Sequence, residues 1–290
     1  MTNKITIKNS VKIIDDKYVI KKKKKNLNDT YNYLISRSFD YFPSVLSEDD
    51  DEIYYKFIND INEPKEQKMV DLLLLVGILH NKTTFYREID LEYYKYIYEE
   101  VNKEIDDIRN YYDGLMDIID NEVYMAPANY LIARNISIVY EMLNYAKESI
   151  ANWYKLVDNK RKARVVMNHN NLMLEHYLKE DKPYLISWDM AKIDLPVYDL
   201  VTLYKRHAID FDFGDILGIY FSKYPYNQDE MILFLTFISI PSKIVKIDNN
   251  YEQVLLVRKE MDYLYKTRDI LKKYGIKKET EKGQKFKQED

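Results

Sequence analysis

Val165–His176, VVMNHNNLMLEH, is the stretch that decides the fold. A short apolar, β-branched run leads into His169; Asn171 follows two places on, and a second histidine, His176, seven places on. That is the layout of a strand feeding a catalytic loop whose reactive letters have been changed.

Working outward, Ala163–Met167 and Pro183–Asp189 (PYLISWD) predict short strands flanking the loop. Upstream, Asp90–Ile119 and Pro127–Val157 have the apolar spacing of long helices, the second opened by a proline in its first turn. Glu66–Lys82 carries a stripe broad enough for a buried helix, and Thr83–Thr84 after it predicts a cap for the next helix. Before Pro64 the period changes. Lys4–Ile14 and Lys17–Lys24 alternate as strands around a turn at Asp15–Asp16, and Phe42–Ile58 reads as a hairpin turning in the acidic run Glu48–Asp51. Asn28–Phe39 between them has helical spacing, with Asn28 or Asp29 as N-cap. From Leu195 everything reads as helix, down to a charged tail at Lys277–Asp290. The sequence thus predicts an α+β chain. A small lobe of sheet plus one helix spans residues 1–60, and a mostly helical lobe spans 61–275 with a strand–loop–strand insert at 163–189. A charged tail at 276–290 follows.

Composition narrows the function classes. Apolar residues at 46% and charged residues at 32% of 290 predict a globular chain with a sizeable core. A net charge of −4 argues against a nucleic-acid binder. The absence of cysteine excludes disulfides and thiolate-held zinc, and fits a reducing, cytoplasmic setting. The apolar runs Leu72–Leu79 and Met231–Ile240 are too short to span a bilayer. The 29 tyrosines beside abundant Lys, Asn and Ile reflect an AT-rich coding bias, and their rings are expected to pack between helices.

The order of elements and the 165–205 stretch resemble the aminoglycoside phosphotransferase/choline kinase group, nearest to bacterial spore-coat kinase-like proteins. That family's catalytic loop runs His-Gly-Asp-Leu, about three variable residues, then Asn. HNNLMLEH fits the frame without a gap: His169 and Leu172 match, Asn170 stands at the glycine, Asn171 at the catalytic aspartate and His176 at the metal-binding asparagine. Downstream, LISWDMAKIDLPVYDL (Leu185–Leu200) resembles the family's Ile-Asp-Trp-Asp/Glu followed by Pro-x-x-Asp-Leu. This makes Asp189 the candidate metal aspartate, with the alignment at Trp188–Asp189 open by one or two places, and Asp199 the structural aspartate. His80 matches a family Leu-His helix end, and Lys21 in YVIKK the nucleotide-binding lysine, sharing a strand face with Val19. The resemblance follows the element order from about residue 5 to 270, but is motif-specific only over 165–205. It implies a two-lobed, protein kinase-like fold with ATP and magnesium as candidate cofactors.

The chemistry of that family is positioning and charge neutralisation by a lysine, magnesium and an aspartate base. Asn171 is an amide and cannot accept the proton; losing a positioned base costs about 10²–10⁴-fold. Imidazole at His176 suits softer metals than magnesium. No glycine precedes Gly77, so no glycine-rich phosphate loop exists, and Lys8–Ser10 would crowd a phosphate. The small-lobe helix offers only Asp29 to hold Lys21. These departures predict an inactive pseudokinase that binds a protein partner or small molecule, in a setting that the resemblance relates to the spore coat. A purely structural protein of the spore coat or its assembly is a separate reading that the resemblance suggests. The alternative is an atypical ATP-dependent kinase of a small hydroxyl compound, built on Asp189 and Lys21 with Glu175 as a displaced base. His207 and Lys22–Lys25 are expected to be solvated.

Overall fold

The computed structural model describes residues 5–8, 11–23 and 26–275, with side chains from residue 11 onward. The chain is a two-lobed α+β fold. The small lobe is a five-stranded antiparallel sheet of order β1-β2-β3-β5-β4, made of β1 (Ile5–Lys8), β2 (Val11–Ile14), β3 (Tyr18–Lys22), β4 (Val45–Glu48) and β5 (Glu52–Lys56). The expected single strand Lys4–Ile14 is two strands paired to each other, Lys8 opposite Val11. Asn9, Ser10, Lys24 and Lys25, and the tail at 276–290, lie outside the described residues. Asp15 and Asp16 turn the chain from β2 to β3 with φ of 52° and 51°, the left-handed pair of a primed hairpin turn that aspartate tolerates.

Helix α1 (Asn28–Ser36) follows β3 and sets the Tyr31 hydroxyl 3.3 Å from that of Tyr55 on β5. Neither Asn28 nor Asp29 caps it: Leu27 holds the N-cap position, without a side-chain bond. The helix also stops short of Phe39. Ser38 turns left-handed (φ 57°), and the Ser38 and Phe39 amides donate back to Ile35 and Leu34, closing the end as a Schellman motif.

The large lobe begins with α2 (Lys65–Thr83), followed by β6 (Phe85–Glu88). Thr83 and Thr84 do not cap a following helix. Their hydroxyls donate to the Leu79 and His80 carbonyls at 2.7 Å, so they finish α2. The long hairpin of α3 (Glu92–Asp120) and α4 (Pro127–Val157) packs on α7 (Gln228–Ser239) and α8 (Asn250–Tyr274). Most tyrosines of α3 pack as expected: Tyr94 and Tyr112 are buried, and Tyr98 stacks on Tyr154 at 4.5 Å. α6 (Phe213–Lys223) lies so close to α2 that a Cβ on Gly77 would stand 2.8 Å from Lys223 Cβ.

Between the helices, β7 (Lys162–Asn168) pairs with β6 on one side and β10 (Lys192–Asp194) on the other. A small ribbon of β8 (Tyr177–Lys179) and β9 (Pro183–Leu185) follows the loop. The strand expected to reach Asp189 ends at Leu185, because Ser187 adopts φ 69° and starts a one-turn 3₁₀ segment over Trp188–Met190. α5 (Val197–His207) then leaves the sheet.

The ribbon ties the lobes together. The Lys179 amide donates to Asp60 Oδ1 and the Leu185 amide to Tyr41 O, both at 2.8 Å. Trp188, fully buried, meets Phe39 and Phe42 of the small lobe edge to face.

Candidate active-site cleft

β7 delivers residues 169–176 into the region where the lobes meet, as open loop through Met173 and one 3₁₀ turn over Leu174–His176. The loop is held from below by one buried carboxylate. Asp199, in the first turn of α5, accepts from the His169 amide through Oδ2 and from the Asn170 amide through Oδ1, both at 2.7 Å. His80 Nε2 lies 3.2 Å from the same Oδ2, and its Nδ1 lies 2.7 Å from the Tyr220 hydroxyl. With Nε2–H donating to the carboxylate, Nδ1 accepts from the phenol. His80 is therefore a buried strut in the last turn of α2, three residues before its end, not a capping group.

Asn170 takes φ 57° at the position where the family motif has glycine. Asparagine is one of the few side chains that tolerates that conformation, so the loop keeps its shape without the glycine.

His169 is fully buried, its ring edge to face on Trp188 at 4.9 Å. Nε2 donates to Ile186 O at 2.8 Å, while Nδ1 has no partner. Burial pushes its pKa down from 6.5 to about 4. An unfolded chain therefore takes up this proton near pH 6.5, whereas the folded chain resists it until about pH 4. The stabilisation is complete above 6.5 and is lost as pH falls through that window, by about 3 kcal/mol. Urea unfolding at pH 7.5 and 4.5 should show this loss in the wild type and a smaller one in His169→Gln; equal losses would contradict it.

The remaining site residues lie around this loop. Lys21, on β3, forms an ion pair with Asp189 across the lobes, both part-buried. Asp29 is exposed, so the carboxylate on Lys21 comes from the large lobe. The Asn171 side-chain oxygen accepts from Arg206 Nη1 at 3.3 Å, and the same nitrogen donates to Leu172 O at 3.1 Å. His176 donates through Nδ1 to Asn171 O at 2.6 Å, and burial lowers its pKa. Glu175 is exposed. His207 was expected in solvent; its side chain is only 15% exposed, against Phe211 and Asp210.

Arg206 is the group that sequence reasoning missed. It stands seven residues after Asp199, two turns along α5 on the same face, so the helical spacing carried the signal. Ser187 is a second omission. Ile186-Ser187-Trp188-Asp189 places serine where the family pattern has its first aspartate. The donor set then fits magnesium poorly: one carboxylate, already on a lysine, and an imidazole tied to a carbonyl. No group of three or more His, Asp or Glu side chains able to hold a metal occurs among the described residues.

No protein-family model matches the sequence, and no curated protein matches it. Solved structures do match in fold. An aminoglycoside phosphotransferase from Alicyclobacillus acidocaldarius subsp. acidocaldarius DSM 446 superposes with a TM-score of 0.70 at 10% identity, over 93% of this chain and 90% of that one. A spectinomycin phosphotransferase in complex with ADP and spectinomycin gives 0.54 at 12% identity, over 93% of both chains. The likeness is one of fold: the two-lobed architecture of phosphotransferase kinases. No helix among the described residues is long and apolar enough to cross a membrane.

Proposed function

We propose that this chain is a pseudokinase of the phosphotransferase fold: a cytoplasmic binding or scaffold protein, with spore-coat assembly as its candidate setting, that transfers no phosphate. The observation that carries the reading is Asn171. The loop that would present a catalytic base is rigidly built on Asp199, yet presents an amide engaged by Arg206. The shape of the site is retained while the group that moves the proton is missing.

The cleft has a second feature of the same kind. A kinase lysine serves phosphates and its metal aspartate serves magnesium; here Lys21 and Asp189 neutralise each other. The spectinomycin phosphotransferase holds ADP. By analogy an adenine nucleotide would enter between lobe 1–60 and lobe 61–275, with Lys21 as its first cationic contact once released from Asp189. The alternative reading, an atypical ATP-dependent kinase of a small hydroxyl compound, draws its support from the same juxtaposition, since the two side chains flanking phosphates in active enzymes are both present.

Thermal unfolding with ATP separates the two. A ligand at a hundred times its Kd adds roughly 2.7 kcal/mol. For the pseudokinase, any stabilisation by ATP is the same in magnesium and in EDTA. Stabilisation that requires magnesium, and disappears in Asp189→Ala, would favour the enzyme.

A further inference from the structure

One end of the helical lobe is apolar where it meets solvent. α3 starts beside Asp194, whose carboxylate accepts from the Tyr93 hydroxyl at 3.2 Å, and its 29 residues carry the chain roughly 43 Å from there. At that far end residues 121–126 turn the chain into α4. Val123 and Tyr124 on this connector stand 89% and 93% exposed, and Ile118, Met125 and Tyr130 beside them between 40% and 62%. The connector is fixed in place. Glu122 accepts from Asn129 Nδ2 through Oε1 at 2.6 Å and from the Ala126 amide through Oε2 at 3.3 Å, and Pro127 opens α4 directly after it. Apolar side chains held rigidly in water are pre-organised for contact, because little entropy is left to lose on binding.

α8 widens the patch. It runs parallel to α4: the Tyr265 hydroxyl donates to Asn135 Oδ1 at 2.9 Å, and Arg268 reaches Glu141 at 3.9 Å. The same offset sets the first turns of α8 beside the start of α4, where Tyr251 and Leu255 are exposed. Tyr251 precedes Tyr265 by close to four full turns and so points to the same side of the helix. With large side chains at about 150–250 Å² each, the seven together expose on the order of 800 Å². The largest apolar patch of a monomer is about 300–600 Å², whereas one partner of a standard interface contributes about 800 Å². A protruding connector encloses no small molecule, and Asp117 and Asp120 next to it would meet an anionic bilayer with like charge. The rim carries exposed charges of both signs, Asp117, Asp120, Arg134 and Lys246, none in an ion pair among the described residues. A contact between two copies, in which one patch must complement itself, uses such a rim.

We infer that this end of the helical lobe docks a second copy of the chain, in a two-fold contact centred on Val123 and Tyr124 that leaves the cleft open. The inference is independent of the reading of the cleft. Sedimentation equilibrium of the full chain should show a dimer above roughly 10 µM, the weak end of what an interface of this area gives. Tyr124→Lys and Val123→Asp should each weaken the dimer at least about 30-fold, the loss that marks one interface hot spot. Both positions are exposed, so the circular dichroism of these variants should match that of the wild type. Tyr86→Lys, at a tyrosine 64% exposed on β6 by the start of α3, should stay dimeric. A wild type that is monomeric to about 200 µM, beyond the micromolar range of such interfaces, would overturn the proposal and assign the patch to a different protein. So would a dimer that survives both Tyr124→Lys and Val123→Asp, or one that Tyr86→Lys dissociates instead.

Discussion

Asp199→Ala is expected to lower folding stability by roughly 3–5 kcal/mol, a large part of what a domain possesses. Asp199 is fully buried and receives the His169 and Asn170 amides and the His80 imidazole. Alanine would strand all three donors without water, and each unsatisfied buried group costs about 1–3 kcal/mol. Asp199→Asn should fall between, because its one carbonyl oxygen serves one amide while its NH₂ opposes the other. Urea unfolding of the three proteins at neutral pH measures the order. A loss below about 1 kcal/mol in Asp199→Ala would mean that the loop finds other acceptors and that Asp199 is not its support.

The role of Asp199 was readable because Pro-x-x-Asp-Leu is a local pattern opening a helix, and the placement of Lys21 on β3 because strand alternation fixes which face a residue shares with Val19. Asn170 in a glycine slot was also interpretable, since asparagine accepts the same backbone. Other features had no local signature. The Tyr220 hydroxyl reaches His80 across 140 residues, which no spacing rule encodes. Tyr177–Lys179 and Lys192–Asp194 are three-residue strands, too short to display a period. Thr83 and Thr84 misled because a hydroxyl can accept from the next helix or donate to the last one, and only tertiary structure chooses. Asp189 was placed at a strand end; the left-handed Ser187 breaks that strand, and serine gives little warning of such a conformation.

The second large effect is catalytic. If Asn171 were the single lesion, Asn171→Asp would raise phosphoryl transfer by about 10²–10⁴-fold. The geometry predicts otherwise. Arg206 already touches the Asn171 side-chain oxygen at 3.3 Å, so a carboxylate there would take the guanidinium and become a weaker base. Lys21 would still sit on Asp189, and His176 would still donate to the Asn171 carbonyl. Groups that act as a unit are strongly non-additive, so one repair recovers little. Asn171→Asp, and Asn171→Asp with His176→Asn, should stay at background.

The most direct measurement is therefore transfer of the γ-phosphoryl of labelled ATP, with magnesium, to a broad set of small hydroxyl acceptors, comparing wild type, Asn171→Asp and Asp189→Ala at equal folded concentration. A pseudokinase gives background in all three. Robust transfer by the wild type that disappears in Asp189→Ala would contradict the account and make this chain an atypical kinase.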